Sequence, residues 1–261
     1  MQNVADRDVN PDLEVKGAQT LMRALDILDA VIDGPIRTTD LARRLGVSKT
    51  TAHRLVQALR SRNYLAVTPE GLALGPKLLH LGRLATEQID YVRVARPFME
   101  TLSEHTGICV FLAKREGDFS RHLERVTGTQ RLRVATAPGD RRPVAETGLG
   151  KTLLLDESEE EWERLYRAAR GETATAAALK RFIAQMREAK EAGSLIHDSE
   201  LGDGVRSIAA PVRDSFGKIC VAISIASAAF YLADRDIDEL RASVVETADQ
   251  ISEALGYRPG N

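Results

Sequence analysis

Thr39-Asp-Leu-Ala-Arg-Arg-Leu-Gly-Val-Ser-Lys-Thr-Thr-Ala-His-Arg-Leu-Val56 is the stretch that decides the fold. Its apolar residues Leu41 and Leu45 sit one helical turn apart, Gly46 stops the chain, and Ser48 then stands as an N-cap for a new helix. From Lys49 to about Arg60 the apolar positions Ala52, Leu55, Val56 and Leu59 form one stripe. Two short helices across a tight turn make a helix-turn-helix, in which the second helix keeps its stripe packed and offers its other face outward. That outer face carries Ser48, Lys49, Thr50, Thr51, His53, Arg54 and Gln57, with Arg60 and Arg62 following.

The neighbours extend the pattern. Upstream, Leu21, Ala24, Leu25, Ile27, Leu28, Val31 and Ile32 recur at helical spacing from Ala18 to Ile32, ended by Gly34-Pro35. Thr38 and Thr39 are N-cap candidates for the second helix, over Thr39 to Leu45. Downstream, Tyr64 to Val67, the turn Thr68-Pro-Glu-Gly71 and Leu72 to Leu74 read as a hairpin. Three helices and a hairpin give the winged helix-turn-helix order, over residues 16–80, after a disordered polar tail at 1–15. Pro76 opens a further helix with Leu78, Leu79, Leu81 and Leu84. A linker helix is then expected, assigned to 81–96, running through Ala85 to Arg96 and ending near Pro97.

Charge agrees with a nucleic-acid contact. The whole chain of 261 residues has a net charge of -2, yet Arg37 to Arg62 alone carries +6, leaving -8 for the rest. A positive island on an acidic protein suits localised phosphate neutralisation, although a solvated helical face has the same composition. Arg54 is placed to pair with guanine or to bind phosphate, His53 to face DNA or to pack, and Arg60 and Arg62 to touch phosphate beside the wing. Of Arg37, Arg43 and Arg44, two of the three read as well as plain surface charge.

From residue 97 to 258 the pattern changes to a second, α/β domain. Strands are expected at 108–113, 119–126, 131–135, 205–212 and 219–226, with turns at Gly117-Asp118 and Asp214-Ser-Phe-Gly217 whose flanks pair antiparallel. Helices are expected at 98–105, 147–155, 159–169, 176–192 and 234–255. Thr147-Gly-Leu-Gly150 stands where a loop enters a helix, so its amides and the helix dipole suit a carboxylate. A tight turn before a packed helix reads the same way.

Composition bounds the remainder. With 43% hydrophobic and 28% charged residues, the chain is an ordinary globular protein of about two domains. It has no ~20-residue apolar run for a bilayer and no secretory leader. Cys109 and Cys220 lie in apolar runs, which excludes a disulfide scaffold and fits a reducing cytoplasm. Among His53, His80, His105, His122 and His197 no HExxH occurs, nor does a GxSxG or phosphate-loop lysine motif. His122 with Glu124, and His197 with Asp198, are the nearest approach to a metal site. No catalytic residue, metal or cofactor is assigned.

Leu21-Met-Arg-Ala-Leu-Asp-Ile-Leu28, the quoted helix-turn-helix and Leu72-Ala-Leu-Gly-Pro-Lys-Leu-Leu-His-Leu-Gly82 resemble IclR-type transcriptional regulators. So do Gly148-Leu-Gly-Lys151, Asp198-Ser-Glu-Leu-Gly-Asp-Gly-Val-Arg-Ser-Ile-Ala-Ala-Pro-Val212, the segment Ile223-Ser-Ile225 and the long terminal helix. The likeness runs from about 18 to 257. It implies an α+β chain whose GAF-like effector domain has an antiparallel sheet and a pocket for a small organic acid. It also implies a regulator, repressor or activator, that binds a pseudo-palindromic duplex as a homodimer or dimer of dimers. By the same resemblance the pocket draws on Asp198, Ser207 and Ser224, together with Thr147, Gly148, Leu149 and Gly150. Ser207 and Ser224 read equally as strand residues bonded to the backbone. Ala226 replaces a second serine, and Ala145-Glu146 replaces a histidine and a small residue, which suits a larger or aromatic acid. The alternatives are a metabolite-sensing scaffold acting through protein contacts and a small-carboxylate enzyme.

Overall fold

A computed structural model describes residues 18–131, 134–200, 202–233 and 235–259. The tail expected at 1–15 lies outside the described residues. The chain divides into two units, one up to Ile89 and one from Asp90 onward.

The first unit is ordered as helix α1 (Gln19–Asp29), α2 (Thr38–Arg44), α3 (Lys49–Ser61), strands β1 (Leu65–Thr68) and β2 (Gly71–Leu74), and helix α4 (Pro76–Glu87). Its core is Ile27, Ala30, Val31, Leu41, Leu55, Val56, Leu65 and Leu72, so the helical stripes and the wing close on one another. Leu59 is only half-buried at the end of its stripe. β1 and β2 pair antiparallel across the expected turn, and Ile36 bridges to Leu72 as a short third rung. Ser48 caps α3 as expected, its Oγ accepting from Thr51 N at 3.1 Å. The cap of α2 differs: Arg37 holds that position in extended backbone with no side-chain bond, and Thr38 is already helical.

The linker differs more. One helix through 81–96 is expected, but α4 stops at Glu87 and α5 (Tyr91–Thr106) starts afresh. Asp90 enforces the break, because its carboxylate accepts from Arg93 N at 3.0 Å as an N-cap. Pro97 falls inside α5 rather than ending it.

The second unit continues with β3 (Cys109–Glu116), β4 (Phe119–Val126), β5 (Arg141–Pro143), α6 (Gly148–Thr152), α7 (Glu159–Arg170), α8 (Ala176–Ala192), β6 (Leu195–Asp198), β7 (Val205–Arg213), β8 (Ile219–Ala228) and α9 (Ile237–Ala254). The six strands form one antiparallel sheet in the order β5-β4-β3-β8-β7-β6. α5 and α9 pack on its strands through Met99, Leu102, Leu240, Val244 and Ile251. A second core gathers Phe111, Leu149, Trp162, Leu165, Phe182 and Met186, where α6, α7 and α8 meet the sheet. β8 is buried throughout Val221 to Ser227, as a central strand must be when covered on both faces.

Three expectations need correction. Arg131, Val134 and Ala135 are not in a strand, and the other two residues of that run lie outside the described residues. Nearby donors make single loop bonds there, Thr129 N to Gly107 O and Arg125 Nη1 to Thr136 O, so no ladder forms. The edge strands β5 and β6 are additional; each is too short to show a periodic pattern. The helix expected over 147–155 is regular only for five residues, and α9 begins at Ile237 because Asp236 caps it.

Replacing Asp90 by Ala should lower the urea-denaturation stability of the second unit by about 1 kcal/mol, while Asp90→Asn should cost only a few tenths. Equal losses in both variants would show that the cap does not hold this break.

Candidate functional site

On the first unit, α3 separates its residues cleanly. Ala52, Leu55 and Val56 are buried, while Ser48, Lys49, Thr50, His53, Arg54, Gln57, Arg60 and Arg62 are exposed. Thr38 and Thr51 are half-buried at the starts of α2 and α3. Ser48 and Thr51 bond each other's hydroxyls at 2.9 Å, and Gln57 lies 3.5 Å from His53 on the next turn. His53 is therefore a surface group and not a packed one. Charge is sorted as well. Arg43 pairs with Asp40, and Arg44 meets Asp33 and the Ala30 carbonyl. Among the described residues Lys49, Arg54, Arg60 and Arg62 have no ion-pair partner, so four cations on and after α3 remain available to an external anion.

On the second unit, a cavity of about 110 Å³ opens against the sheet. Cross-strand pairing explains its floor. His197, Ser207, Ala226 and Cys109 are partners in one row across β6, β7, β8 and β3, and Ala209, Ser224 and Phe111 form the next. A third row brings Ala222 and Ala113 to His122 on β4. Alanine and serine at the middle of these rows leave the space that Phe111, His122 and His197 border. Val134, Thr136, Arg142, Glu146, Thr147, Ser199, Asp203 and Val205 complete the wall with Gly148 and Leu149.

Gly148 is required by contact. A Cβ there would stand 2.5 Å from Ser207 Oγ and 2.8 Å from His197 Cβ, so only glycine lets α6 approach β7 and β6 this closely. Thr147 caps α6 by accepting from Gly150 N at 3.0 Å. With five residues, α6 is barely more than one turn, so the helix dipole adds little and the amide groups of Gly148 and Leu149 matter more.

The structure brings Thr147, Gly148, Leu149, Ser207 and Ser224 to this one cavity. Two expected residues stand apart. Gly150 packs against the Val144 carbonyl, where a Cβ would be 2.3 Å away. Asp198 points off the sheet face that His197 occupies, because neighbours on a strand alternate, and it is held by Arg206 at 2.5 and 2.9 Å. His197, one residue earlier, takes the place that the sequence suggested for Asp198. His122 and Glu124 do not share a metal site either. A register shift at Leu112/Ala113 separates them, and Glu124 binds Arg96 at 2.8 Å.

The cavity's hydroxyls are not used by the protein: among the described residues neither Ser207 nor Ser224 has a side-chain hydrogen bond, though both are buried. Among the described residues His122 Nδ1 is fully enclosed and has no hydrogen-bond partner. Burial pushes the His122 imidazole below its ordinary value, with Asp140 and Arg142 acting in opposite directions. Arg142 lines the rim, and no carboxylate pairs with it among the described residues.

Sequence reasoning missed Lys151. Its side chain is fully buried behind the cavity wall, with Nζ donating to Gln185 Oε1 and Glu200 Oε1 at 3.1 Å each and lying 3.4 Å from His197 Nδ1. Arg170 binds the other oxygen of Glu200. Burial lowers the ammonium pKa while Glu200 opposes the loss. A charged Lys151 donates to Nδ1 and fixes the His197 proton on Nε2. Burial, then the Lys151 charge, push the His197 pKa down to about 4.

Two family models cover most of the chain: the IclR helix-turn-helix domain over residues 20–69 and the bacterial transcriptional regulator IclR C-terminal domain over 83–253. The chain is 28% identical to the HTH-type transcriptional regulator XynR of Escherichia coli, across 92% of this chain and 98% of that protein. It is 27% identical to the HTH-type transcriptional regulator KdgR of the same organism, across 97% of each. Among solved structures, the Agobacterium tumefaciens repressor BlcR is 25% identical with a TM-score of 0.69, over 93% of this chain and 99% of that one.

Because the folded His197 pKa lies below its unfolded value of 6.5, this group's stabilisation is complete above pH 6.5 and is lost as pH falls toward 4. The loss should reach about 3 kcal/mol in urea melts, given 1.36 kcal/mol per pKa unit. His197→Asn, whose amide oxygen still accepts from Lys151, should flatten that part of the curve. An unchanged slope would show that His197 is not held neutral by this network.

Proposed function

The chain belongs to the IclR family of bacterial transcriptional regulators, DNA-binding proteins with a C-terminal effector domain and not enzymes, and on that premise we propose a small organic acid as its effector. The observation that carries the reading is the cavity: its wall brings together buried Ser207 and Ser224, the start of α6 at Gly148 and Leu149, and Arg142 at the rim, and among the described residues neither serine has a side-chain hydrogen bond and Arg142 has no ion-pair partner. Groups that donate hydrogen bonds favour an oxygen acid, and buried polar atoms left unpaired favour an occupant that satisfies them. The volume of about 110 Å³ suits a molecule near the size of a benzene ring and not a nucleotide. Ala226 in the floor adds apolar surface, which favours an aromatic or branched acid over a two-carbon one.

On the DNA side, we assign Lys49, Arg54, Arg60 and Arg62 to phosphate or base contacts, with Thr38, Ser48, Thr50, Thr51, His53 and Gln57 facing the groove. α3 is then the recognition helix. The protein acts in the cytoplasm as a symmetric dimer, or a pair of dimers, on a pseudo-palindromic operator with half-sites about one helical turn, ~34 Å, or a multiple apart. Self-association is supported by uncovered leucines: Leu21 and Leu25 on α1 and Leu79 on α4 are exposed, Leu79 by 76%. The reader spans residues 16–80 and the sensor 97–258. The effector alters operator affinity only as far as it prefers one arrangement of the dimer. A coupling of ~1–3 kcal/mol would change that affinity 5- to 150-fold.

Two substitutions test the assignments. Arg54→Ala should weaken binding to a selected operator. Base reading predicts a loss of about 1–3 kcal/mol with relaxed specificity, and phosphate binding predicts a salt slope lower by about one. Unchanged affinity and slope would reject α3 as the reader. Ser224→Val should abolish the response of operator binding to an acid while leaving unliganded DNA binding intact, as read by fluorescence anisotropy. Loss of both would make Ser224 a structural residue.

A further inference from the structure

We infer that the groove between the last turns of α3 and strand β1 seats a sugar-phosphate strand of the bound duplex, with Asn63 hydrogen-bonding one of its phosphates. The inference rests on α3 as the reader and adds a contact residue outside that helix. Gln57, Arg60 and Ser61 line the groove from α3, Ala66 and Val67 line it from β1, and Asn63 lines it from the turn between them. None of the lining residues is acidic, and Arg60 has no ion-pair partner among the described residues. Val67 is 58% exposed although apolar. A cationic, polar bank facing an apolar one matches a nucleic-acid strand, whose phosphates take hydrogen bonds and whose sugars present carbon.

Asn63 is the one non-glycine residue with a positive φ, 61°, among the described residues. Its backbone is held from both sides: its N donates to the Arg60 carbonyl at 2.9 Å, and its carbonyl accepts from Lys77 N at 3.1 Å. Gly75 presses on the same carbonyl, where a Cβ would stand 2.2 Å away. Glycine alone would meet the backbone need of this turn. Asparagine tolerates it and adds an amide that both donates and accepts. That amide is exposed and has no hydrogen-bond partner among the described residues. A side chain unused within its own unit, on a backbone fixed at both ends, is presented to an outside partner.

The partner is a phosphate and not a base. In a helix-turn-helix the N-terminal residues of the recognition helix meet base edges. α3 has 13 residues, a length of about 20 Å at 1.5 Å per residue, against a major groove ~12 Å wide. Its last turn therefore stands over the strand that bounds the groove, and Asn63 follows directly. The other neutral groups beside Arg60 are engaged: Ser61 Oγ donates to the Ala58 carbonyl at 2.8 Å, and Gln57 lies 3.5 Å from His53. Asn63 is the neutral donor that remains.

The test uses the full-length protein and a duplex selected with it from a random-sequence library, with binding read by fluorescence anisotropy. Asn63→Gly keeps the left-handed turn and removes only the amide. It should weaken binding by about tenfold, equally on the selected duplex and on an unrelated one, as the loss of one hydrogen bond to a charged group predicts. Its salt slope should match the wild type, whereas Arg60→Ala should lower the slope by about one. Asn63→Asp, which the turn also accepts, should bind more weakly than Asn63→Gly in dilute salt, the gap closing as salt rises. Single methylphosphonates scanned along the duplex should locate the contact: at one position per half-site the substitution should cost the wild type affinity and cost Asn63→Gly little.

Wild-type binding by Asn63→Gly, or Asn63→Asp binding as well as Asn63→Gly, would overturn the contact. So would methylphosphonate losses in Asn63→Gly equal to those of the wild type at every position. An altered base preference in Asn63→Gly would overturn the phosphate assignment. In each of these cases a weakened Arg54→Ala leaves α3 as the reader. If Arg54→Ala also binds with unchanged affinity and slope, that reading falls, and this inference with it.

Discussion

Buried Ser207, Ser224 and His122 border one cavity, and among the described residues the two serine hydroxyls and His122 Nδ1 have no hydrogen-bond partner. Much of the effector domain's construction brings these side chains to one cavity. A protein built only for stability would place apolar side chains there, because an unpaired buried donor or acceptor costs about 1–3 kcal/mol. Here the sheet supplies small residues, Ala209, Ala222 and Ala226, at the middle of its rows. Helix α6 is drawn onto the sheet by a glycine contact that tolerates no side chain. The polar floor and the close-packed wall are one construction.

Behind that wall the chain accepts a second expense. Lys151 is enclosed with Glu200, Gln185 and His197 around its ammonium group, and Arg170 completes the charge set on Glu200. A buried cation is tolerable only with such partners, and breaking one arm leaves an uncompensated charge. The arrangement orients His197, which borders the cavity, and fixes which ring nitrogen carries its proton. The wall of the pocket is thereby rigid where an apolar wall would leave the imidazole free to turn.

Much of this was legible in the sequence, for identifiable reasons. α3 declared itself because Ser48, the stripe Ala52, Leu55, Val56 and the following hairpin are local signals at fixed offsets. β8 declared itself as a continuous apolar run. The break at Gln88–Asp90 did not, because charge and apolar residues continue smoothly across it and only the Asp90 cap marks the new start. β5 and β6 were hidden because three or four residues show no period. Asp198 looked like the pocket residue on resemblance, yet strand alternation hands that place to His197; a one-residue shift on an edge strand reverses which face a side chain meets. Lys151 entered only as the last residue of the Gly148-Leu-Gly-Lys151 motif, with no role of its own, and only tertiary packing reveals it as buried. The Arg43 and Arg44 charges, ambiguous in sequence, are engaged within their own unit, whereas Lys49, Arg54, Arg60 and Arg62 along and after α3 have no ion-pair partner among the described residues.

The most direct measurement is a crystal structure of the full-length protein with an acid that has first been found to change its operator affinity. The account predicts the acid's oxygens within hydrogen-bonding distance of Ser207 and Ser224, with its remaining length lying over Phe111. Such an acid bound elsewhere, with those two hydroxyls meeting only water, would contradict it.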